Sequence, residues 1–279
     1  MKRKAEIREL LKLSPEEVKE KAGEKLIVFK TLDELHRDFA ERIASEIENN
    51  NRKFIPTRII LPVGPTGQYP LLTEIVEERN ISMENCFFFF MDEYCDDNGH
   101  VLGIEHPLSF KGVMEKFLKK FEKNGLKREN VFFPDQFNIQ NLKFIIEEKG
   151  GIDTCYAGLG ITGHLAFNEP EPEIENSEPR LVYLHPATIT INAIRAKAGG
   201  NIAGFPRKAY TLGMRQILGA KRIFIYCRND IPGIDWANTV LRVALFGEPG
   251  DDFPVTYIRG KNYIICTTED TLRSPENIL

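Results

Sequence analysis

The sequence lacks several features that would assign a protein to a class at once. Its 279 residues contain no run of about 18 apolar residues, and the N-terminal stretch MKRKAEIRELLKLSPEEVKEK is too charged for a signal peptide. The net charge is only -4 and the lysines and arginines are dispersed, which argues against a nucleic-acid partner. These absences predict a cytoplasmic protein that has neither a membrane nor a nucleic acid as its partner.

Cysteine is also scarce, and its distribution excludes the usual structural roles of this residue. The five cysteines give an odd total, form no CxxC pair and lie mostly within apolar runs. They are predicted to be buried, reduced thiols, not disulfides or zinc ligands. They are Cys86, Cys95, Cys155, Cys227 and Cys266.

The chain does have a regular alternation of two kinds of segment. Short apolar runs predict buried parallel strands within 58–64, 86–94, 152–160, 222–229 and 262–270. Apolar residues at three- and four-residue spacing predict amphipathic helices within 32–50, 106–124, 141–150 and 236–248. This alternation predicts, over residues 26–279, an α/β domain with a doubly wound, mostly parallel sheet and helices on both faces.

The first 25 residues are predicted to be a helical extension outside that domain. Ser14 precedes Pro15 and Glu16, and a serine cap followed by proline at the first helical position is typical of a helix start.

Two loops that follow predicted strands could hold an anion or a catalytic carboxylate, because such sheets bind ligands beyond the carboxyl ends of their strands. GPTGQYP (64–70) is a glycine-rich turn that enters a helix, and it would present N–H groups to an anion; a plain Pro/Gly turn is the alternative. In FFFFMDEYCDDNGH (87–100), Asp92 and Glu93 follow four phenylalanines, where burial favours a strong base; capping of the next segment is the alternative. The further acidic residues of this loop lack EF-hand spacing, so no metal is predicted.

A third loop, GLGITGHLAFNEP (158–170), combines three glycines with two groups able to move protons. Glycines let backbone N–H groups approach a ligand, and His164 lies five residues before Glu169. An imidazole beside a carboxylate suits general acid–base chemistry. No GxSxG turn is present, which argues against a nucleophilic triad.

Five segments resemble one family in their order and rough spacing. They are PTGQYPLLTEIVEE, FFFMDEY, EHPLSF, GGIDTCYAGLGITGHLAFNEP and KAYTLGMRQILGAKRIFIY. From about Leu26 to about Thr268 the sequence resembles the glucosamine-6-phosphate deaminases, whose wider Rossmann-like fold also includes sugar-phosphate isomerases and 6-phosphogluconolactonases. The resemblance implies a sugar-phosphate substrate that is opened, isomerised from aldose to ketose and deaminated without a cofactor. It is compatible with monomers and with hexamers, so a homo-oligomer is one expectation.

The resemblance also implies residue roles. His164 would protonate the ring oxygen, Asp92 would move hydrogen between C2 and C1, and Glu169 would complete a proton relay with His164. The implied substrate and phosphate site consists of Thr66, Gly67, Gln68, Tyr69, Gly160, Thr162, Arg195 and Arg228.

Three positions depart from the family pattern. Thr162 stands where the family has an aspartate, the bulky Tyr69 where it has a small hydroxyl residue, and Asp230 near the place of an expected lysine. Only Arg195 clearly matches a phosphate-binding charge. We therefore expect an isomerase-deaminase with altered substrate preference; the alternatives are a non-catalytic sugar-phosphate-binding or regulatory protein and a lactonase-type hydrolase.

Overall fold

The computed structural model describes residues 2–279, and ten strands and nine helices organise them. The strands are β1 (Leu26–Phe29), β2 (Thr57–Leu61), β3 (Cys86–Phe90), β4 (Asp92–Cys95), β5 (Val131–Phe132), β6 (Thr154–Gly158), β7 (Arg180–Tyr183), β8 (Lys208–Thr211), β9 (Arg222–Cys227) and β10 (Tyr263–Thr268). The helices are α1 (Lys2–Leu10), α2 (Pro15–Ala22), α3 (Leu32–Arg52), α4 (Gln68–Glu78), α5 (Phe110–Lys123), α6 (Leu142–Glu148), α7 (Pro186–Arg195), α8 (Met214–Leu218) and α9 (Ala237–Phe246).

Seven strands form the central sheet, in the order β1-β10-β9-β6-β2-β3-β5, and every pair in it is parallel. This confirms the predicted doubly wound α/β fold. The chain moves outward from β2 through β3 to β5, then returns to β6 beside β2 and moves outward the other way. The strand order therefore reverses between β2 and β6, which is where sheets of this kind bind ligands.

Apolar side chains cover both faces of this sheet, as the continuous hydrophobic strands predict. Within β3, Phe88 and Phe90 belong to one core cluster and Phe89 to the other, because neighbouring residues of a strand point to opposite faces. The run of four phenylalanines is therefore a strand buried on both sides. The five cysteines are buried and unpaired, as predicted.

A second, three-stranded sheet was not predicted, and it corrects the interpretation of residues 86–94 as one strand. The run is broken at Met91: β3 ends at Phe90 in the central sheet, and β4 pairs antiparallel with β8 in the order β4-β8-β7. Each strand of this sheet has four residues. Four residues are too few to show a clear alternation of apolar and polar side chains. The break at Met91 has no glycine or proline that would have indicated it.

From Lys2 onward the N-terminal residues form two helices, and the second begins with the expected cap. The Ser14 hydroxyl accepts a hydrogen bond from the Glu17 N–H at 3.2 Å, and the Glu17 carboxylate accepts one from the Ser14 N–H at 2.8 Å. These helices pack on α9, where the fully buried Arg242 donates hydrogen bonds to the Leu13 and Leu272 carbonyls. Within residues 2–279, no helix combines the length and the hydrophobicity that crossing a membrane requires.

Candidate active site

A cavity of about 480 Å³ lies at the carboxyl ends of the central strands. Its wall includes the loop after β2, Asp92 just beyond β3, the loop after β6, and Arg228 just beyond β9. Side chains from α7 and the segment that follows it complete the opposite wall, Asn192, Arg195 and Phe205 among them. The cavity thus occupies the point where the strand order reverses.

The structure brings together predicted residues from five separate parts of the chain. Those that line the cavity are Thr66, Asp92, Gly160, His164, Arg195 and Arg228. Glu169 and Thr162 lie behind His164, while Gly67, Gln68 and Tyr69 do not contribute to the wall.

His164 is held by a compact hydrogen-bonded cluster. Its Nδ1 lies 3.0 Å from the Glu169 Oε2, and the Thr162 hydroxyl lies 2.8 Å from the same Nδ1 and donates to that Oε2 at 2.6 Å. The other Glu169 oxygen accepts a hydrogen bond from the His185 N–H at 3.3 Å. Because Nδ1 is occupied, Nε2 is the ring nitrogen left for a ligand in the cavity.

The Glu169 carboxylate is stabilised in its charged form. Burial by itself would raise its pKa, but the charge of His164 and the hydrogen bonds from His164, Thr162 and Thr188 outweigh burial and lower the pKa to about 2. Glu169 therefore stays ionised beside the imidazole. Thr162 removes a charge relative to the family pattern, but a carboxylate still contacts His164 directly.

The absence of a side chain at Gly160 leaves the space that the His164 ring occupies. A Cβ added to Gly160 would lie 1.9 Å from the His164 Nε2, far inside any allowed contact. The loop closes on itself here. The Gly160 N–H donates to the His164 carbonyl at 3.0 Å, and the Gly160 carbonyl accepts a hydrogen bond from the Gly163 N–H at 2.9 Å. This close approach explains the glycine that the sequence places four residues before the histidine.

Asp92 and Glu93 are adjacent and both buried, yet they have different surroundings. Glu93 accepts hydrogen bonds from the N–H groups of Phe110 and Lys111, at 2.9 and 2.7 Å, and from the Ser109 hydroxyl at 3.3 Å, so it caps the start of α5. Asp92 faces the cavity and is 6% exposed. Of the two readings of this pair, capping applies to Glu93.

The environment of Asp92 makes it a strong base. Burial first, and then the nearby charge of Glu93, raise the pKa of Asp92 well above its usual value. A carboxylate with a raised pKa holds an abstracted proton more firmly than an ordinary aspartate, which suits proton transfer at carbon.

Two of the predicted phosphate-loop side chains point away from the cavity, which corrects the sequence-based view of Gln68 and Tyr69. Tyr69 is fully buried, its hydroxyl donates to the Pro62 carbonyl, and its ring packs 5.6 Å from the Phe117 ring. Gln68 donates to the Pro65 carbonyl at 2.7 Å. Tyr69 therefore does not narrow the anion pocket. It is the second residue of α4 and faces the core, so its phenol ring occupies space in the core and not in the cavity.

Gly67 precedes α4 and permits a close approach that the sequence did not reveal. A Cβ at Gly67 would lie 2.2 Å from the His36 ring, so a larger residue here would require the His36 side chain to move. No side chain caps α4 at Gly67. The positive end of this helix adjoins the wall at Thr66, which is compatible with an anion in the cavity.

The arginines at the cavity are more numerous than the motif match indicated. Arg195 and Arg228 both line the wall, and Asp230 bridges them: its Oδ1 accepts from Arg195 at 3.1 and 3.2 Å and its Oδ2 from Arg228 at 3.1 Å. Asp230 therefore lies against both cations.

Sequence reasoning missed the residues that support these arginines. Asn192 accepts from the Arg195 Nη1 at 3.2 Å and donates to the Tyr94 hydroxyl at 3.0 Å, which ties α7 to β4. The Arg195 guanidinium lies 5.1 Å from the centre of the Trp236 ring. The three-residue spacing of Asn192 and Arg195 on one helix was the available signal; Tyr94 and Trp236 gave none.

Comparison with known proteins assigns the chain to a family. It is 31% identical over 210 residues to the glucosamine-6-phosphate deaminase of Thermoanaerobacter sp. (strain X514), covering 72% of this chain and 77% of that protein. It is 32% identical over 217 residues to the enzyme of the same name from Borrelia garinii subsp. bavariensis, covering 72% and 75%. The chain belongs to the glucosamine-6-phosphate deaminase family. No protein-family model matches the sequence.

Solved structures support the same fold for this member of the family. A monomeric glucosamine-6-phosphate deaminase superposes with a TM-score of 0.76 at 23% identity, over 90% of this chain and 100% of that one. The 6-phosphogluconolactonase of Trypanosoma cruzi superposes with a TM-score of 0.64 at 14% identity, over 91% and 97%. The resemblance inferred from the motifs is thus confirmed at the level of family and fold.

Proposed function

We propose that this protein is an isomerase-deaminase that converts a hexosamine phosphate into a ketose phosphate and ammonia. The observation that carries the proposal is the convergence of Asp92 and of the His164–Glu169 pair on one cavity, reached from separate strands. The family membership supports the same reaction, since the relatives named above are glucosamine-6-phosphate deaminases.

In the proposed mechanism, His164 opens the sugar ring. Its Nε2 donates a proton to the ring oxygen while the anomeric hydroxyl loses one, which yields the open-chain aldehyde. Glu169 holds Nδ1 and balances the charge of the protonated ring, and Thr162 fixes the carboxylate through its hydroxyl. Thr162 and Glu169 are therefore positioning residues in this scheme.

Asp92 then moves a proton between two carbons. Its carboxylate accepts the proton from C2 of the open-chain sugar and returns it to C1. The amine nitrogen loses a proton and the aldehyde oxygen O1 gains one, so that C1 becomes a hydroxymethyl carbon and the nitrogen at C2 becomes an imine. Water adds to that imine and ammonia departs, so that C2 becomes the ketone carbon. The raised pKa of Asp92 suits both the acceptance and the return of the proton.

The anionic end of the substrate belongs at the arginine side of the cavity. Arg195 and Arg228 supply the positive charge, and Thr66 supplies a further hydroxyl donor. A lactonase needs a base and an anion subsite too, but the placement of His164 against Glu169 is what ring opening calls for, so the deaminase is the better supported of the two.

A substrate panel tests this function directly. Ammonia and ketose phosphate are measured after incubation with glucosamine, galactosamine and mannosamine 6-phosphates, and hydrolysis of 6-phosphogluconolactone is measured in parallel. We expect ammonia from at least one hexosamine phosphate and a loss of roughly 10²-fold or more in turnover for Asp92→Asn. Lactone hydrolysis without ammonia would show a lactonase, and binding without either reaction would show a sugar-phosphate-binding protein.

A further inference from the structure

Asp230 lies behind the two arginines, on the side away from the cavity. Arg195 and Arg228 line the cavity, whereas Asp230 lines a separate groove together with Lys30, Asn229 and Asp270. A ligand in the cavity therefore does not have to displace Asp230 to reach the guanidinium groups. The bridge to Asp230 can persist while the arginines hold an anion.

The bridge changes the charge that the cavity presents. Two guanidinium cations and one carboxylate in direct contact leave a local excess of one positive charge. His36, on the neighbouring helix α3, adds none at neutral pH, because burial and then the charge of Arg228 lower the pKa of its imidazole. A doubly charged phosphate would consequently be only half neutralised at this subsite.

Donor groups nevertheless remain available for an anion. Arg228 is 7% exposed, and its Nε has no hydrogen-bond partner among residues 2–279. Arg195 and Arg228 both line the cavity, and guanidinium groups form strong hydrogen bonds with oxyanions. The two arginines can therefore donate hydrogen bonds to an oxyanion, but with Asp230 in contact their net charge of +1 balances only one negative charge on it.

We propose that Asp230 makes this subsite selective for a singly charged oxyanion, such as a sulfate ester, over a phosphate dianion of the same shape. This inference rests on the proposed function, since it concerns the tail of the same hexosamine substrate. Asp230 acts here through Arg195 and Arg228 as a positioning and charge-setting residue, and it takes no part in proton transfer.

Binding of two matched sugars that cannot react tests the proposal. 2-Amino-2-deoxyglucitol 6-sulfate and 6-phosphate have no aldehyde carbon, so calorimetry on the full chain at pH 8 measures affinity without turnover. We expect the sulfate to bind the wild type at least as tightly as the phosphate. Asp230→Asn adds a net positive charge, and it should shift the ratio of the two affinities toward phosphate by about tenfold or more.

Two variants separate charge from structure. Asp235→Asn removes the same charge from an exposed position in the same groove without touching the arginines, and Asp230→Glu keeps the carboxylate; both should keep the wild-type ratio. Simple disorder of the arginines would weaken both ligands equally and leave the ratio unchanged, and that result for Asp230→Asn would overturn the proposal. So would a tenfold preference of the wild type for phosphate. Neither outcome depends on ammonia release, which tests the reaction itself.

Discussion

Two neighbouring carboxylates show how a difference in surroundings assigns different roles to the same chemical group. Glu93 receives three hydrogen bonds from the first turn of α5 and its cap, whereas no hydrogen bond contributes to the ionisation of Asp92. Burial raises the pKa of Glu93 as well, but those hydrogen bonds offset part of the effect. Of the two carboxylates, only Asp92 therefore combines a raised pKa with a position on the cavity wall.

We predict that Asp92→Asn stabilises the protein while it removes the proposed base. A carboxyl group whose pKa is higher in the folded state binds more protons there, so the free energy of unfolding falls as pH rises through the interval between the unfolded and folded pKa values. At pH 8 the variant avoids that penalty. Its Tm should exceed that of the wild type by a few degrees, since about 1 kcal/mol corresponds to roughly 2–4 °C for a domain of this size.

The pH dependence of that gain provides its control. Thermal unfolding of both proteins is compared at pH 8 and at pH 4, where Asp92 of the wild type is protonated when folded, and the difference in Tm should shrink at pH 4. Glu93→Gln should instead lower the Tm at pH 8, because an amide NH2 group replaces one of the two oxygens that accept the Phe110 and Lys111 N–H groups and leaves a buried donor without a partner. A Tm for Asp92→Asn below that of the wild type at pH 8 would contradict the assignment.

The histidine site shows what residue types and spacing could predict and what they could not. His164 and Glu169, five residues apart on a loop after a strand, were recognisable as a pair. The family resemblance also indicated that Thr162 replaces an aspartate, but not that its hydroxyl would donate to Glu169 at 2.6 Å. Such a contact depends on the path of the loop, which sequence spacing does not determine.

At the scale of elements, the loop after β6 is the feature that most depends on one small residue. Its turn brings the backbone at Gly160 against the ring of His164. Glycines in this loop were predicted to let a ligand approach the backbone. The structure shows that the lack of a side chain at Gly160 makes room for the ring of His164. Composition indicated a special loop, while the identity of the close contact required coordinates.

We predict that Gly160→Ala lowers kcat by roughly 10²-fold through displacement of His164, the scale of losing a proton-transferring group. The added methyl group would lie 1.9 Å from Nε2, so the imidazole has to move. Gly103→Ala is the matched control, since a Cβ there meets nothing within 4 Å. Ammonia release by both variants is compared with their unfolding curves; full activity of Gly160→Ala would show that the ring can shift without cost.

Pairing between distant elements was predicted unevenly. The five predicted apolar runs each contain a strand of the parallel sheet. A strand buried on both faces has a nearly continuous run of apolar residues, which can be recognised in a sequence. The antiparallel sheet, with four-residue strands from three remote segments, gave no comparable signal. Asp92 is the first residue of β4, so this sheet, which was not predicted from the sequence, positions part of the site.

At the scale of the whole molecule, the N-terminal helices are joined to the body more closely than an appended segment needs to be. Val18 is fully buried in the core cluster that covers one face of the central sheet, and Leu11 is 6% exposed. Arg3 donates to Asp252 and to the Glu248 carbonyl, which adds polar contacts at the far end. The capping residues Ser14 and Pro15 predicted a helix start, but not the surface on which the helices pack.

These contacts lead us to predict that residues 2–22 stabilise the enzyme without taking part in its chemistry, since none of them lines the cavity. Val18→Ala removes two buried methyl groups and should cost about 2 kcal/mol. This would lower the Tm by roughly 4–8 °C, with kcat at 25 °C unchanged. Lys19→Ala, on the exposed side of the same helix, should change stability by no more than about 0.5 kcal/mol.

Removal of residues 1–22 should lower the Tm further than Val18→Ala, because it also takes away the Leu13 carbonyl that Arg242 binds. Equal Tm values for Val18→Ala and Lys19→Ala would mean that the extension folds beside the body and does not support it.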